Sequence, residues 1–307
     1  MQRGPQPLRR ALLGLLPIAA SAALYPIAAA WGGTSARDRF DAGLLWRVAR
    51  DRTPDSYVFG TIHLADARVA EPGAAVLAAL SGSRTFAMEV ATDAMAALGV
   101  FDMEQLADEG MLEPLIGAEA YAQTRRILVG RGVSERVVAR LKPWAAMLAV
   151  ASSGTGDAAL ALDSRLLTAA RRAHLRVQAL ESVEEQVASF DSIPVASQVA
   201  LLKHALAHRD ALELENETMI RAWLAGDLAA LVRFPARMDS HNPGVAGHYD
   251  ELLRHLVFNR TVLMHYRLSQ LLRSGRTFVA VGAMHLQGEK GLLALIEQDG
   301  YRMTRIG

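Results

Sequence analysis

Apolar residues follow two patterns along this chain, and the two patterns predict different elements. Short continuous runs rich in β-branched and aromatic residues, at 57–59, 85–90 and 277–281, predict buried β-strands. Between about 92 and 275, apolar residues mostly recur at three- and four-residue spacing, which predicts helices. The pattern therefore indicates an α/β fold: a mostly parallel β-sheet flanked by helices, with a helical insertion at about 92–275.

Turn residues and prolines divide the first part of the chain into elements. Residues 44–48 and 57–59 predict a hairpin, because turn-forming residues lie between them. A helix is expected after Pro72, a residue suited to a first helical turn. The succession of strand, helix and strand then predicts that the strands at 57–59 and 85–90 form a parallel pair.

The insertion and the C-terminal part of the chain contain both helix and strand patterns. Within the insertion the pattern predicts helices at 102–115, 118–129, 142–151, 160–173 and 249–272, one or two helices at 195–225, and one short strand at 176–180. Trp144 is predicted to be a packing residue. A helix at 292–298 and a last strand at 301–306 are expected to close the sheet.

The first 30 residues have the pattern of an export signal. Arg3, Arg9 and Arg10 precede an uncharged stretch at 11–33, and small residues allow cleavage before Trp31. We expect a cleaved signal peptide and a periplasmic or secreted protein. The alternative is an uncleaved N-terminal anchor that holds the protein at a membrane, since the apolar stretch is long enough to span one.

Composition limits the remaining function classes. The chain has 307 residues, 51% of them hydrophobic, which is enough for a sizeable core in a domain predicted at 38–307. Its net charge is only +1 and no basic patch is visible, so nucleic acid is not an expected partner. The absence of cysteine excludes disulfides, thiolate metal sites and a cysteine nucleophile.

Three residues that could carry chemistry follow predicted strands. Gly60 and Gly282 each precede a histidine by three residues, giving His63 and His285. Glu89 interrupts an apolar run near the end of another strand, where a carboxylate needs a partner. Because the carboxyl ends of parallel strands meet at one edge of a sheet, the three side chains are expected to form one site. Two imidazoles and a carboxylate are a sufficient ligand set for a catalytic divalent ion.

Two further residues are candidates for supporting roles. Glu181 ends the short strand at 176–180 and could accept a proton from a metal-bound water; it could equally be a capping acid of the next helix. Arg260 lies on the helix at 249–272. It could clamp a substrate carboxylate or hold a site glutamate, or it could form a purely structural ion pair.

The other histidines are not predicted to be ligands. His204 and His208 share a helix face with Lys203 and Arg209, but the glutamate of a zincin motif is missing, so a solvated basic face is favoured over a metal site. The remaining histidines of this region are treated as surface or packing residues, namely His241, His248 and His255.

The two Gly-x-x-His phrases and the ending Gly-Ala-Met-His-Leu-Gln-Gly-Glu-Lys-Gly-Leu resemble the TraB/GumN family, from about residue 44 to 306. That family includes the TIKI proteins, described as metal-dependent proteases, and is distantly related to ChaN-like and erythromycin-esterase-like proteins. In the family, a glutamate at the position of Glu89 accompanies the two histidines. Two positions depart from the family pattern: Thr261 replaces an asparagine, and Ala161 replaces the glycine of a Gly-x-Asp phrase that ends at Asp163.

The resemblance implies an exported metal-dependent hydrolase, of the TIKI metallopeptidase kind, that acts on a peptide or small-molecule substrate. It favours Mn²⁺ or Co²⁺ as the ion, with Zn²⁺ as a further option. Two alternatives stay open. One is a metal-independent esterase in which a histidine is the general base, oriented by Glu89. The other is a protein that binds a peptide or a haem without turnover.

Overall fold

The computed structural model describes residues 39–64, 66–90, 111–151, 162–232 and 244–307. The predicted signal peptide or anchor at 1–30 lies outside these ranges, as do Ala161 and His241. In the described part of the chain, no helix is both long enough and apolar enough to cross a membrane.

A six-stranded mixed sheet forms the centre of the fold, in the order β4-β3-β5-β2-β1-β6. Its strands are β1 Leu45–Arg50, β2 Thr53–Thr61, β3 Thr85–Met88, β4 Arg176–Ala179, β5 Thr277–Gly282 and β6 Arg302–Ile306. The four strands from β4 to β2 are parallel, and β1 is antiparallel to both of its neighbours. The α/β class predicted from the sequence is confirmed.

Strand β5 occupies the middle of the parallel part, and all six of its residues are buried. It pairs with β3 on one side, where Met88 lies opposite Ala280, and with β2 on the other, where Thr61 lies opposite Gly282. The predicted pairing of β2 with β3 is therefore wrong: they are parallel, but β5 lies between them. An apolar strand that can be buried on both faces is most stable at such a central position.

Helices cover the sheet, and most of the described residues between β3 and β5 are helical. Those before β4 are α1 Ala67–Ala70, α2 Ala74–Ser81, α3 Leu112–Ile116, α4 Ala118–Gly130, α5 Glu135–Arg140, α6 Pro143–Ala151 and α7 Leu162–Arg172. Those after it are α8 Val183–Asp191, α9 Val195–Ala207, α10 Leu212–Leu224, α11 Ala246–Leu253, α12 Asn259–Ser274 and α13 Leu292–Gln298. The long helix predicted at 249–272 is interrupted by a π-helical turn, Arg254–Phe258.

The buried apolar residues form two large clusters. One joins the sheet to the helices that cover it, and aromatic rings of three neighbouring strands meet there: Phe278 of β5 lies 6.3 Å from Phe59 and 6.2 Å from Phe86, measured between ring centroids. The other cluster joins helices of the insertion to each other. There the indole of Trp144 stacks on Phe190 at 4.8 Å, as expected of a packing residue.

The face of α9 that carries His204 was predicted to be solvated, and this prediction is wrong. His204 is buried: its ring stacks on His208 at 4.2 Å and meets Tyr249 of α11 edge-on at 5.8 Å. Helix α11 packs against this face of α9 and excludes water. Burial, together with the nearby His208, lowers the pKa of His204 to about 4, so its ring is neutral. His248 and His255 bond to Ser197 and Ser192, as expected of packing residues.

The side chain of Glu215, in α10, makes the stability of the fold depend on pH. Its side chain is buried, and burial raises the pKa of its carboxyl from 4.5 to about 7 against the opposing effect of His208. Because the folded state holds this proton more tightly than the unfolded chain does, stability is lost as the pH rises from about 4.5 through about 7.

We therefore expect Glu215→Gln, which cannot ionise, to be more stable than wild type by about 1–3 kcal/mol at pH 8 and nearly equal to it at pH 4. Urea unfolding at the two pH values measures this difference. The exposed Glu119→Gln is the control, with no comparable pH dependence expected. A Glu215→Gln effect of the same size at both pH values would contradict the assignment.

Candidate functional site

Three side chains predicted to share a site lie together at the carboxyl edge of the sheet. His63 follows β2, Glu89 follows β3 and His285 follows β5. The Nε2 atoms of His63 and His285 each lie 3.7 Å from Oε1 of Glu89, and all three residues are buried. Residues separated by up to 222 positions therefore meet because parallel strands place their carboxyl ends side by side.

Gly282 makes room for this meeting. Its backbone N–H donates to Oε1 of Glu89 at 2.6 Å. A Cβ atom here would lie 2.9 Å from Nε2 of His63 and 3.2 Å from Oε1 of Glu89. Since Gly282 has an ordinary φ of −52°, the need for glycine is spatial and not conformational. In the other phrase, a Cβ on Gly60 would instead meet Leu286 and Ala283, so that glycine allows packing.

Arg260 links the two candidate carboxylates. Its guanidinium is buried and donates from Nη2 to Oε2 of Glu89 at 2.6 Å. Nε and Nη2 donate to Glu181 at 2.7–3.1 Å, and Nη1 donates to the carbonyl of Leu256 at 3.1 Å. Arg260 thus holds a site glutamate, one of the roles expected for it. Both carboxylate oxygens of Glu181 face Arg260.

The two carboxylates on Arg260 have opposite pKa shifts. Burial opposes the ionisation of Glu89, but Arg260 and the two imidazoles outweigh it and hold the pKa well below its usual range. For Glu181, burial raises the pKa although Arg260 opposes the shift. The difference follows from the neighbours: Glu89 has imidazoles and a backbone N–H beside it, whereas Glu181 has the charge of Glu89 nearby. Glu89 is therefore ionised.

His63 has an acidic partner that was not among the predicted site residues. Its Nδ1 lies 2.9 Å from Oδ2 of Asp163, in the first turn of α7, and Thr61 donates to Oδ1 of the same carboxylate at 2.9 Å. Burial disfavours a charged imidazole, but Asp163 and Glu89 outweigh it and raise the pKa of His63 to about 10. In the sequence, the only sign of this residue was its place in an incomplete Gly-x-Asp phrase.

His285 has a neutral partner. Its Nδ1 lies 2.8 Å from the hydroxyl of Thr261, which donates its own hydrogen to the carbonyl of Val257 at 2.7 Å. The hydroxyl must therefore accept from Nδ1–H, and Nε2 carries the lone pair. Burial lowers the pKa of His285 to about 4, so the ring is neutral. Thr261 is the residue that replaces the asparagine of the family pattern, and its hydroxyl orients His285.

A small cavity of about 10 Å³, enough for one water molecule, adjoins the imidazoles. Besides His63, His285 and Gly282, its walls are mainly apolar, with side chains from Ile62, Met219, Trp223, Leu231 and Met284. The indole of Trp223 is fixed by donation to the carbonyl of Gly60 at 3.0 Å. A water-sized space beside two imidazoles, with Thr61 as a further polar residue on a mainly apolar wall, suits the activation of a water molecule.

Within the described ranges, no group of three or more His, Cys, Asp or Glu side chains has the close arrangement of a formed metal site. The donor set nevertheless fits an ion. Nε2 of His285 is buried and has no hydrogen-bond partner among the described residues, although it faces a carboxylate. Donor atoms bound at 2.0–2.2 Å to a tetrahedral ion lie about 3.4 Å apart. The Oε1 atom of Glu89 lies 3.7 Å from each Nε2, so the side chains would have to move only slightly closer together to bind an ion.

Comparison with known proteins adds a family and one relative. The profile of the TraB/PrgY/gumN family matches residues 44–305. The metalloprotease TIKI2 of Danio rerio is 26% identical in an alignment of length 310 that covers 84% of this chain and 60% of that protein. The chain thus spans about 60% of the length of this relative. No solved structure matches the chain.

The close approach at Gly282 can be tested by adding one methyl group. We expect Gly282→Ala to destabilise the protein by about 1–3 kcal/mol, because the new Cβ displaces His63 and Glu89. Gly130→Ala is the matched control, since a Cβ there meets nothing within 4 Å. Urea unfolding measures both variants. Equal stability of Gly282→Ala and wild type would show that the space between the three side chains is larger than described.

Proposed function

The chain belongs to the TraB/PrgY/gumN family, and on this basis we propose that it is a metal-dependent hydrolase whose substrates are peptides. The similarity to a metalloprotease supports the reaction class. The observation that carries the proposal is the convergence of His63, His285 and Glu89 beside a water-sized cavity. Two imidazole nitrogens and one carboxylate leave open positions on a divalent ion, as catalytic sites require.

In this proposal Nε2 of His63, Nε2 of His285 and Oε1 of Glu89 would hold the ion. When bound, it would supply a Lewis acid that polarises a carbonyl and lowers the pKa of water. The chain contributes the surroundings. Arg260 keeps Glu89 ionised and oriented, and the apolar wall formed by Met219, Trp223 and Leu231 excludes bulk water. With no cysteine in the chain, the ligands are nitrogen and oxygen, which suits Mn²⁺, Co²⁺ or Zn²⁺.

Glu181 and Arg260 take supporting roles. Since Glu181 directs both oxygens to Arg260, we assign it to holding that guanidinium in preference to accepting a proton from water. Arg260 in turn spends its donors on Glu89, Glu181 and Leu256, so holding Glu89 is favoured over clamping a substrate carboxylate. Together they leave one net negative charge among Glu89, Glu181 and Arg260 if both glutamates are ionised, which favours a cation nearby.

A second candidate is metal-independent ester hydrolysis, which the contact between His63 and Asp163 favours. A carboxylate on Nδ1 makes Nε2 the nitrogen that gives up and takes back a proton, the arrangement of a histidine general acid–base group. Asp163, and not Glu89, would then orient the base. Ester turnover that survives chelation supports this candidate, whereas retention of a peptide or haem without turnover supports a binding protein.

We also propose that the protein acts outside the cytoplasm, because a basic and then apolar stretch occupies its first 30 residues. We expect N-terminal sequencing of protein from the cell envelope to find a chain that begins near Trp31. An intact Met1 in soluble cytoplasmic protein would contradict export, and an intact Met1 in membranes would support the anchor.

The metal proposal predicts what the two histidines bind. After incubation with Mn²⁺, Co²⁺ or Zn²⁺ and desalting, we expect wild type to retain about one ion per chain for at least one of the three metals. His63→Ala and His285→Ala should retain far less, because each loses one of three ligands. Elemental analysis measures the retained ion, and peptide hydrolysis should stop on chelation and return on adding the metal.

His265→Ala is the matched control for these variants. His265 forms a 3.0 Å hydrogen bond with Asp299 and is not part of the site, so its loss should leave the ion content unchanged. The proposal fails if wild type retains none of the three metals, or if both site variants retain as much as His265→Ala does. Unfolding curves recorded for all variants separate loss of an ion from loss of the fold.

A further inference from the structure

The carboxylate of Asp163 has two contacts that together determine the hydrogen positions of His63. Oδ2 lies 2.9 Å from Nδ1 of His63, and Oδ1 accepts the hydroxyl hydrogen of Thr61 at 2.9 Å. An ionised carboxylate can only accept hydrogen bonds. Nδ1 of His63 must therefore carry a hydrogen, so Nε2 is the nitrogen that can offer a lone pair once the charged ring has given up its second hydrogen.

The elements that hold this contact are rigid and belong to different parts of the chain. Thr61 and His63 are two residues apart at the end of β2, and Asp163 lies in the first turn of α7. All three side chains are buried. The hydroxyl of Thr61 thus holds Asp163 in place, and Asp163 holds the ring of His63 with Nε2 toward Glu89.

His63 and His285 differ in the charge of these partners. The Nδ1 of His285 faces a neutral hydroxyl, whereas that of His63 faces a carboxylate. A carboxylate partner makes an imidazole a stronger electron donor to a metal and fixes its tautomer. The two rings are therefore inequivalent, although the sequence phrases that contain them are alike.

We propose that Asp163 is a positioning residue that keeps hydrogen on Nδ1 of His63, so that Nε2 is the nitrogen a metal ion would bind once the hydrogen on Nε2 has left. The effect on metal affinity rests on the proposed function, whereas the hydrogen position does not. No contact of Asp163 with substrate or ion is implied, since it acts through His63.

Asp163→Asn tests this directly. Glu89, 3.7 Å from Nε2, is then the remaining carboxylate described beside the ring, and it favours hydrogen on Nε2. The amide can adapt by turning its N–H₂ to Nδ1 while the hydroxyl of Thr61 donates to its oxygen, so that Nδ1 accepts and the ring keeps its hydrogen on Nε2. In ¹⁵N NMR spectra of the metal-free protein we expect His63 Nδ1 to be protonated in wild type and unprotonated in the variant. His285 is the internal control, with Nδ1 protonated in both.

The same variant should bind the metal about 10–100-fold more weakly than wild type, measured by titration calorimetry with the ion that wild type retains. Asp163→Glu keeps a carboxylate and should restore protonation of Nδ1. Thr61→Val removes the other bond of Asp163 without adding a donor, so Nδ1 should stay protonated. Asp299→Asn changes a separate acid–histidine pair, with His265, and should not affect His63 or the metal.

The outcomes separate the two proposals. The role of Asp163 would be overturned if Nδ1 of His63 stays protonated in a folded Asp163→Asn variant that binds the metal as tightly as wild type does. If Nδ1 loses its hydrogen in that variant but even the wild-type protein binds no ion, the positioning role is supported and the metal proposal fails. If Asp163→Asn does not fold, the wild-type and Asp163→Glu spectra decide: an unprotonated Nδ1 in wild type overturns the inference.

Discussion

The structure depends on the burial of one charged group, the carboxylate of Glu89. Taking a carboxylate out of water is costly unless ionic and hydrogen-bonding partners compensate for it. Here the partners come from separate elements: Arg260 from α12, the backbone N–H of Gly282 from β5, and the imidazoles of His63 and His285 from the ends of β2 and β5. The elements that supply these partners must therefore be held at fixed distances from the end of β3.

The parallel part of the sheet meets this requirement. With β5 in the centre, β2 and β3 lie on either side, and all three strands end at the same edge. Gly282 then lets the three side chains approach more closely than any other residue would allow. The rings of Phe59, Phe86 and Phe278 pack across these same strands and stabilise their spacing.

Outside this edge, each group of the site is oriented by a further residue. Asp163 orients His63, Thr261 orients His285, and Glu181 supports Arg260. Thr261 and Arg260 follow a π-helical turn, a feature that often occurs near functional sites in helices. Such supporting contacts determine which nitrogen of each ring faces the site, and they are as necessary to the proposed chemistry as the groups that would touch the ion.

The sequence by itself determined most of the strands, several of the helices, the α/β class, and the meeting of His63, Glu89 and His285, because buried strands have a local apolar pattern and parallel strands share one edge. Only the tertiary structure decided that β5 separates β2 from β3, that Arg260 joins Glu89 to Glu181, that Asp163 faces His63, and that His204 is buried. These outcomes depend on which elements pack together. A hydrogen bond between residues 100 positions apart, such as that of His63 with Asp163, has no counterpart in local sequence pattern.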